Sequence, residues 1–282
     1  MGWDAQHRGD FLNMPFRGTL SGYWSGKKYY TARPKIRAAY RQAVKDRGYT
    51  RIYFDIFKGL AGKDYFGDPA ALLPVLDECV ADGLGPVLFI IPEGDKSAQA
   101  QYGMSKSKVS AKYLTALRAL VKVCGPCVAD WIIGVEVDEV LRPDAPNDGS
   151  EEDDAATDVC EAMVTTIGQT IRSALKPAQQ TPIWVHWTTG WHGTWGWWRK
   201  QAWATPGGLC FQYDKADKGG GFLASDEEMR DASTVYSGRL KTQGGGRDFL
   251  AGEYAWQRPE AKGRARGKAA LEAGAVGAMN GC

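Results

Sequence analysis

The sequence predicts an α/β fold built as a single (β/α)8 barrel, and three observations carry that expectation. Short apolar runs alternate with helix-length amphipathic segments along the whole chain, the pattern of a parallel sheet with helices outside it. The length of 282 residues suits one barrel of about 250 residues better than a sandwich or half of a nucleotide-binding sheet. No linker divides the chain, so one domain is expected over 1–282, with 1–16 as an N-terminal lead-in. A doubly wound open sheet is the main rival. That fold usually carries a glycine-rich phosphate turn after its first strand, and SGYWSGKK at 21–28 matches neither nucleotide fingerprint.

The first strand is read at 16–24, FRGTLSGYW, and residues 35–47 follow with helical spacing that Gly48 closes. TRIYFDIF at 50–57 alternates as a second strand, with Asp55 near its end. Asp68 is a good N-cap and Pro69 a good first residue for a helix over 69–82. GPVLFII at 85–91 is a continuous apolar run of the kind parallel sheets bury on both faces, ended by Pro92 and Glu93. Val109, Tyr113, Leu117, Leu120 and Val121 recur at helical spacing across 107–124. WIIGVEVDE at 131–139 reads as the fourth strand. An acidic stretch at 144–154 then leads into a helix that runs to about Leu175, where Ser150 and Asp153 resemble a capping box. PIWVHWTT at 182–189 and GLCFQYD at 208–214 are strands five and six, and a helix covers 225–240. DFLAGEYAW at 248–256 is the seventh strand, 259–273 a helix, and AVGAMNG at 275–281 the eighth strand.

Composition excludes several classes. Apolar residues at 44% and charged residues at 24% are ordinary globular values. A net charge of +2 gives no reason to expect nucleic acid or an anionic membrane as partner. No apolar run approaches the ~20 residues of a membrane helix, and MGWDAQHRGD is not a signal peptide, so a cytoplasmic or virus-associated protein is expected. Six scattered cysteines in a chain this long do not make a disulfide scaffold. Cys124-Gly-Pro-Cys127 spells a thioredoxin-type motif, but helix precedes it and strand follows, the reverse of the order that lowers a thiol pKa.

Active sites of such barrels sit at the C-terminal ends of the strands. There the sequence collects Asp55, Glu93, Glu136, Asp138, Glu139, His186, Gln212, Asp214, Glu253 and Asn280. Carboxylates dominate, with one histidine and no serine-elbow motif. Paired carboxylates suit glycoside hydrolysis, in which one acid protonates the leaving oxygen while the other attacks or activates water. The plainer reading is that such acids cap the following helices or face solvent. No cofactor or metal is implied.

The fourth and seventh runs also carry a family resemblance. DWIIGVEVDEV at 130–140 resembles the fourth strand of the clan of retaining barrel glycosidases that includes the cellulase and mannanase families. That strand ends in Asn-Glu, often with another glutamate three residues before the acid. The resemblance implies Glu139 as acid/base and Glu136 as the earlier glutamate. Asp138 stands where the clan has asparagine, and an aspartate accepts but does not donate the bond that asparagine gives a sugar hydroxyl. FLAGEYAW resembles the seventh strand, which implies Glu253 as nucleophile. The compact, tryptophan-rich chain also resembles glycosidase-like barrels encoded by bacteriophages.

Tryptophan supplies the ligand surface in this reading. Trp187, Trp191, Trp195, Trp197, Trp198 and Trp203 crowd the connection after strand five, and indole faces stack on the apolar faces of pyranose rings. Trp197, Trp198 and Trp203 are expected to anchor a helix, while Trp187, Trp191 and Trp195 are subsite candidates, with Trp256 a further platform. Gln212, Asp55 and His186 complete the substrate contacts, and His186 shares a strand face with Trp184 rather than with Val185 and Trp187. The expected function is hydrolysis of a β-linked polysaccharide or oligosaccharide by a retaining, two-carboxylate mechanism. The rivals are a catalytically silent carbohydrate-binding barrel, such as a phage recognition component, and a metal hydrolase with carboxylate ligands. The sequence leaves the oligomeric state open.

Overall fold

In the computed structural model the chain forms a closed, all-parallel barrel in which eight strands pair in sequence order. Residues 10–12, 34–46, 49–57, 64–92, 96–134, 137–146, 148–187, 195–212, 225–252 and 260–280 are described. The strands are β1 (Asp10–Leu12), β2 (Arg51–Asp55), β3 (Gly85–Phe89), β4 (Asp130–Ile133), β5 (Ile183–Trp187), β6 (Gly207–Gln212), β7 (Asp248–Gly252) and β8 (Gly277–Asn280). Between them lie helices α1 (Pro34–Asp46), α2 (Pro69–Ala81), α3 (Lys96–Tyr102), α4 (Ala111–Cys124), α5 (Val137–Leu141) and α6 (Glu151–Ala174). The series closes with α7 (Trp195–Arg199), α8 (Asp226–Thr242) and α9 (Glu260–Glu272).

Two expectations need correction. The strand that closes the ring is β1, which lies inside the stretch read as lead-in and pairs with both β2 and β8. It is three residues long in a polar context, too short to show a hydrophobic period. The strand read at 16–24 lies outside the described residues. The second correction is the fourth strand, which stops at Ile133. Gly134 follows at φ +97, a conformation that L side chains rarely adopt, and a Cβ there would lie 3.0 Å from His186 O and Val137 N. The chain leaves the sheet at that point, and α5 begins at Val137. Asp138 and Glu139 occupy its first turn, where carboxylates complement the helix dipole.

Period-two alternation sorts the strand side chains into two cores. Val87, Phe89, Ile132, Trp184, Cys210 and Leu250 form one cluster, the filling of the barrel. Their neighbours in sequence, among them Leu88, Trp131, Ile133, Val185, Trp187, Leu209, Phe211, Phe249 and Ala251, join the larger cluster under the helices. At the N-terminal end of the barrel Arg51 Nε donates to Asp130 Oδ2 at 2.9 Å, and Trp184 Nε1 donates to Asp130 Oδ1 at 2.9 Å. Arg51 and Asp130 are only 2% and 1% exposed, so the ion pair lies inside the barrel.

The helix caps follow the sequence. Asp68 accepts from Ala71 N with Pro69 at the first position. Ser150 accepts from Asp153 N, and Ser225 and Glu228 form a full reciprocal capping box. Helix α3 was not foreseen, because KSAQAQY has no apolar stripe. Helix α6 and the 3-10 turn Ala202–Ala204 meet where Trp203 lies on Gly168, and a Cβ at Gly168 would fall 2.2 Å from the ring. Gly168→Ala is therefore expected to destabilise the fold by about 1–3 kcal/mol through forced repacking. Chemical denaturation reads this, and an unchanged midpoint would contradict the close packing.

On the outside, α1 is tied to α2 by charge. Arg37 Nε donates to Glu78 Oε2 at 2.8 Å and Arg41 Nη1 to the same oxygen at 2.7 Å. The hydrogen bond from Arg37, ahead of the charges of both arginines, holds the Glu78 carboxyl below the usual glutamate range. A carboxylate depressed in the folded state binds its proton more readily when unfolded. Its stabilisation is therefore full above the unfolded glutamate value of about 4.3 and is lost as pH falls through that value towards the folded one. Glu78→Gln is expected to flatten the acid limb of a stability–pH curve below about pH 5 while lowering stability at neutrality. A parallel acid limb in the variant would contradict the linkage.

Candidate active site

Helix α5 follows the C-terminal end of β4, so it lies on the face where barrels of this kind place their chemistry. Val137, Val140 and Leu141 are buried and anchor it, whereas Glu139 is exposed. Asp138 is 9% exposed. Burial pushes the Cys160 thiol up, and the nearby Asp138 and Glu161 carboxylates push it further. Of the adjacent acids, one is buried and the other is open to solvent. Ser107 N–H donates to Leu141 O at 2.9 Å, which ties the end of α5 to the turn after α3.

The remaining predicted positions divide by environment. His186 is fully buried inside the barrel on the face of Trp184, as its alternation indicated, with its ring edge-on to Phe89 at 6.3 Å between centroids. Burial pulls its pKa down to about 3, so the imidazole is neutral. The ring sits with the interior filling of the barrel, beside Phe89. Trp187 is likewise 0% exposed, on the opposite face, edge-on to Trp197 among the helix-packing residues. Its indole packs in the larger cluster under the helices. Trp195 is half-buried against Tyr236 of α8, with the Arg239 guanidinium 5.4 Å above its ring, so it fastens α7 to α8. Trp198 and Trp203 are buried anchors, as expected. Glu136, Trp191, Glu253 and Trp256, and the side chains of Asp55 and Gln212, lie outside the described residues.

Sequence reasoning missed one clamp on the mouth side. Asp64, in the connection after β2, accepts from Gly67 N at 2.9 Å, from Gln101 Nε2 at 2.6 Å and from the Tyr102 hydroxyl. Tyr102 also meets Phe66 edge-on at 4.9 Å, so the β2 connection is locked to α3 by an aromatic contact and a shared carboxylate. The only sequence signal was an aspartate three residues before a glycine, a common turn pattern. Among the described residues no three histidine, cysteine, aspartate or glutamate side chains converge as a metal site would require. No described helix is long and apolar enough to cross a membrane.

No protein-family model matches the chain, and no curated protein matches it in sequence. Solved structures do match in shape. An endo-1,4-beta-mannanase from Rhizomucor miehei superposes with a TM-score of 0.64 at 9% identity, covering 97% of this chain and 85% of the mannanase. A broad-specificity endoglucanase from an uncultured bacterium gives 0.59 at 11% identity over 100% of this chain and 89% of its own. The catalytic domain of a beta-amylase from Paenibacillus polymyxa gives 0.57 at 10% identity, covering 97% and 91%. This chain has their barrel fold. At such identities the likeness is one of architecture, and it agrees with the clan resemblance carried by the fourth and seventh strands.

Proposed function

We propose that the protein is a glycoside hydrolase that cleaves a β-linked polysaccharide by a retaining mechanism, with Glu139 as acid/base and Glu253 as nucleophile. The observation that supports this best is topological. The two motif-bearing runs supply strands four and seven of a closed eight-stranded barrel, the strands that bear the two acids in the clan the motifs resemble. Glu139 lies on α5, which follows β4, and Glu253 is next in sequence after Gly252, the last residue of β7. In a retaining enzyme such carboxyl groups lie about 5–5.5 Å apart. Glu253 would attack the anomeric carbon while Glu139 protonates the departing oxygen. Glu139 would then take a proton from the water that releases the sugar. Glu136, Trp191, Trp256, Gln212 and Asp55 are the proposed substrate contacts.

One observation favours a second reading, a barrel that binds carbohydrate without cleaving it. Asp138 replaces the clan's asparagine and is buried, and an aspartate cannot donate the bond that asparagine gives a sugar hydroxyl. Incubation with plant, bacterial and fungal polysaccharides, with and without chelator, separates the readings. Release of reducing ends that chelator does not affect supports the hydrolase. Retention on a polysaccharide column with no release supports the binding barrel, and loss of release on chelation supports a metal hydrolase.

A further inference from the structure

The turn that joins α4 to β4 lies at the N-terminal face of the barrel, opposite the mouth, and the proposed chemistry does not use it. Cys124 ends α4, and Cys127 N–H donates to Cys124 O at 2.9 Å, closing a tight turn around Gly125 and Pro126. Such a turn brings its end Cα atoms within about 7 Å, and a disulfide spans about 4.4–6.8 Å between Cα atoms. Both thiols are instead directed at α2. Cys127 Sγ donates to Asp77 Oδ1 at 3.0 Å and Cys124 Sγ to Pro69 O at 3.6 Å. Cys124 is buried while Cys127 is half-exposed, so a small oxidant meets Cys127 first. Both thiols are pushed up to about 12, chiefly by burial, with the hydrogen bond and charge of Asp77 contributing at Cys127. Only the thiolate attacks a disulfide, so a carboxylate against the reachable thiol slows the first step.

We propose that Cys124 and Cys127 are a latent disulfide site for low-molecular-weight disulfides such as oxidised glutathione, and that Asp77 holds the site open. The Cys127 thiolate attacks one sulfur of the oxidant, forming a mixed disulfide and expelling one thiolate, which takes up a proton. Cys124, once deprotonated, attacks the Cys127 sulfur and expels the second thiol. Two protein thiols lose two electrons and two protons, and one small disulfide becomes two thiols. Closure removes both sulfur bonds to α2 and leaves the mouth unaltered, so its effect falls on stability rather than on any activity there.

The test incubates the folded protein with oxidised glutathione near pH 8, quenches with acid and alkylator, and follows by mass spectrometry the peptide that contains both cysteines. The parent is expected to lose two hydrogens from that peptide slowly. Asp77→Asn, which keeps the shape but not the charge, is expected to close about ten-fold faster. Asp77→Glu, which keeps the charge, should stay near the parent rate, and Cys127→Ser should not close. Circular dichroism confirms that each variant is folded, and the parent in denaturant shows the rate of an unconstrained pair. Equal rates for Asp77→Asn and the parent would overturn the role of Asp77. A folded pair that never closes while the denatured one does, or that stops as a glutathione adduct on Cys127, would overturn the site itself.

Discussion

Glu253→Gln is expected to eliminate polysaccharide hydrolysis, and Glu139→Gln to lower it by about 10²–10⁴-fold, the usual contribution of a positioned general acid. The asymmetry follows from the roles. Without Glu253 no covalent glycosyl–enzyme bond forms, so both halves of the retaining cycle fail. Without Glu139 the nucleophile remains, and a substrate whose leaving group needs no proton regains the first step. An activated aryl glycoside is therefore expected to be attacked by Glu139→Gln at a rate much nearer the parent's than a polysaccharide is. Release of the glycosyl–enzyme should then become rate-limiting, because the base that activates water is missing. A burst of aryl alcohol followed by slow turnover is the expected trace. Glu136→Gln is the necessary companion, since Glu136 precedes α5 whereas Glu139 lies within it. If Glu136→Gln shows the burst and Glu139→Gln behaves as the parent, the acid/base role passes to Glu136. Full activity of Glu253→Gln would remove the mechanism altogether.

The barrel was legible because buried parallel strands leave an unambiguous pattern. GPVLF and IWVHW are buried at every position, and each is bounded by a capped helix or a turn. Alternation also sorted His186 from Trp187 correctly, one inside the barrel and one under the helices. Periodicity alone did not reveal how deep each would lie. An indole and an imidazole at a strand end look alike in sequence whether exposed or enclosed, and here both are buried. The fourth strand misled for a related reason. Val135 and Val137 prolong the β-branched run, and only Gly134 marks the place where the backbone turns out of the sheet. A glycine inside a strand pattern was therefore the informative residue, because it moves Asp138 and Glu139 from a strand end to a helix start. The Arg51–Asp130 pair shows the opposite limit. Each opens a strand, and nothing in the sequence couples two charges 79 positions apart.

That pair carries the largest expected effect on stability. Arg51→Met leaves Asp130 buried with its charge no longer balanced by the guanidinium, and breaking a buried ion pair by removing one partner costs about 3–5 kcal/mol. For a chain of this size that corresponds to a fall in Tm of roughly 6–20 °C. The Arg51→Met/Asp130→Asn double variant should recover much of the loss. The asparagine removes the stranded charge, and its carbonyl oxygen can still accept from Trp184 Nε1, which otherwise would lose a buried acceptor at about 1–3 kcal/mol. Asp130→Leu removes that acceptor too, so it should be worse than Asp130→Asn in the same Arg51→Met background. The ordering of the three variants by denaturation midpoint tests the account, because simple volume loss does not favour asparagine over leucine in a barrel interior. An Arg51→Met variant within about 1 kcal/mol of the parent would show that the interior does not depend on this ion pair.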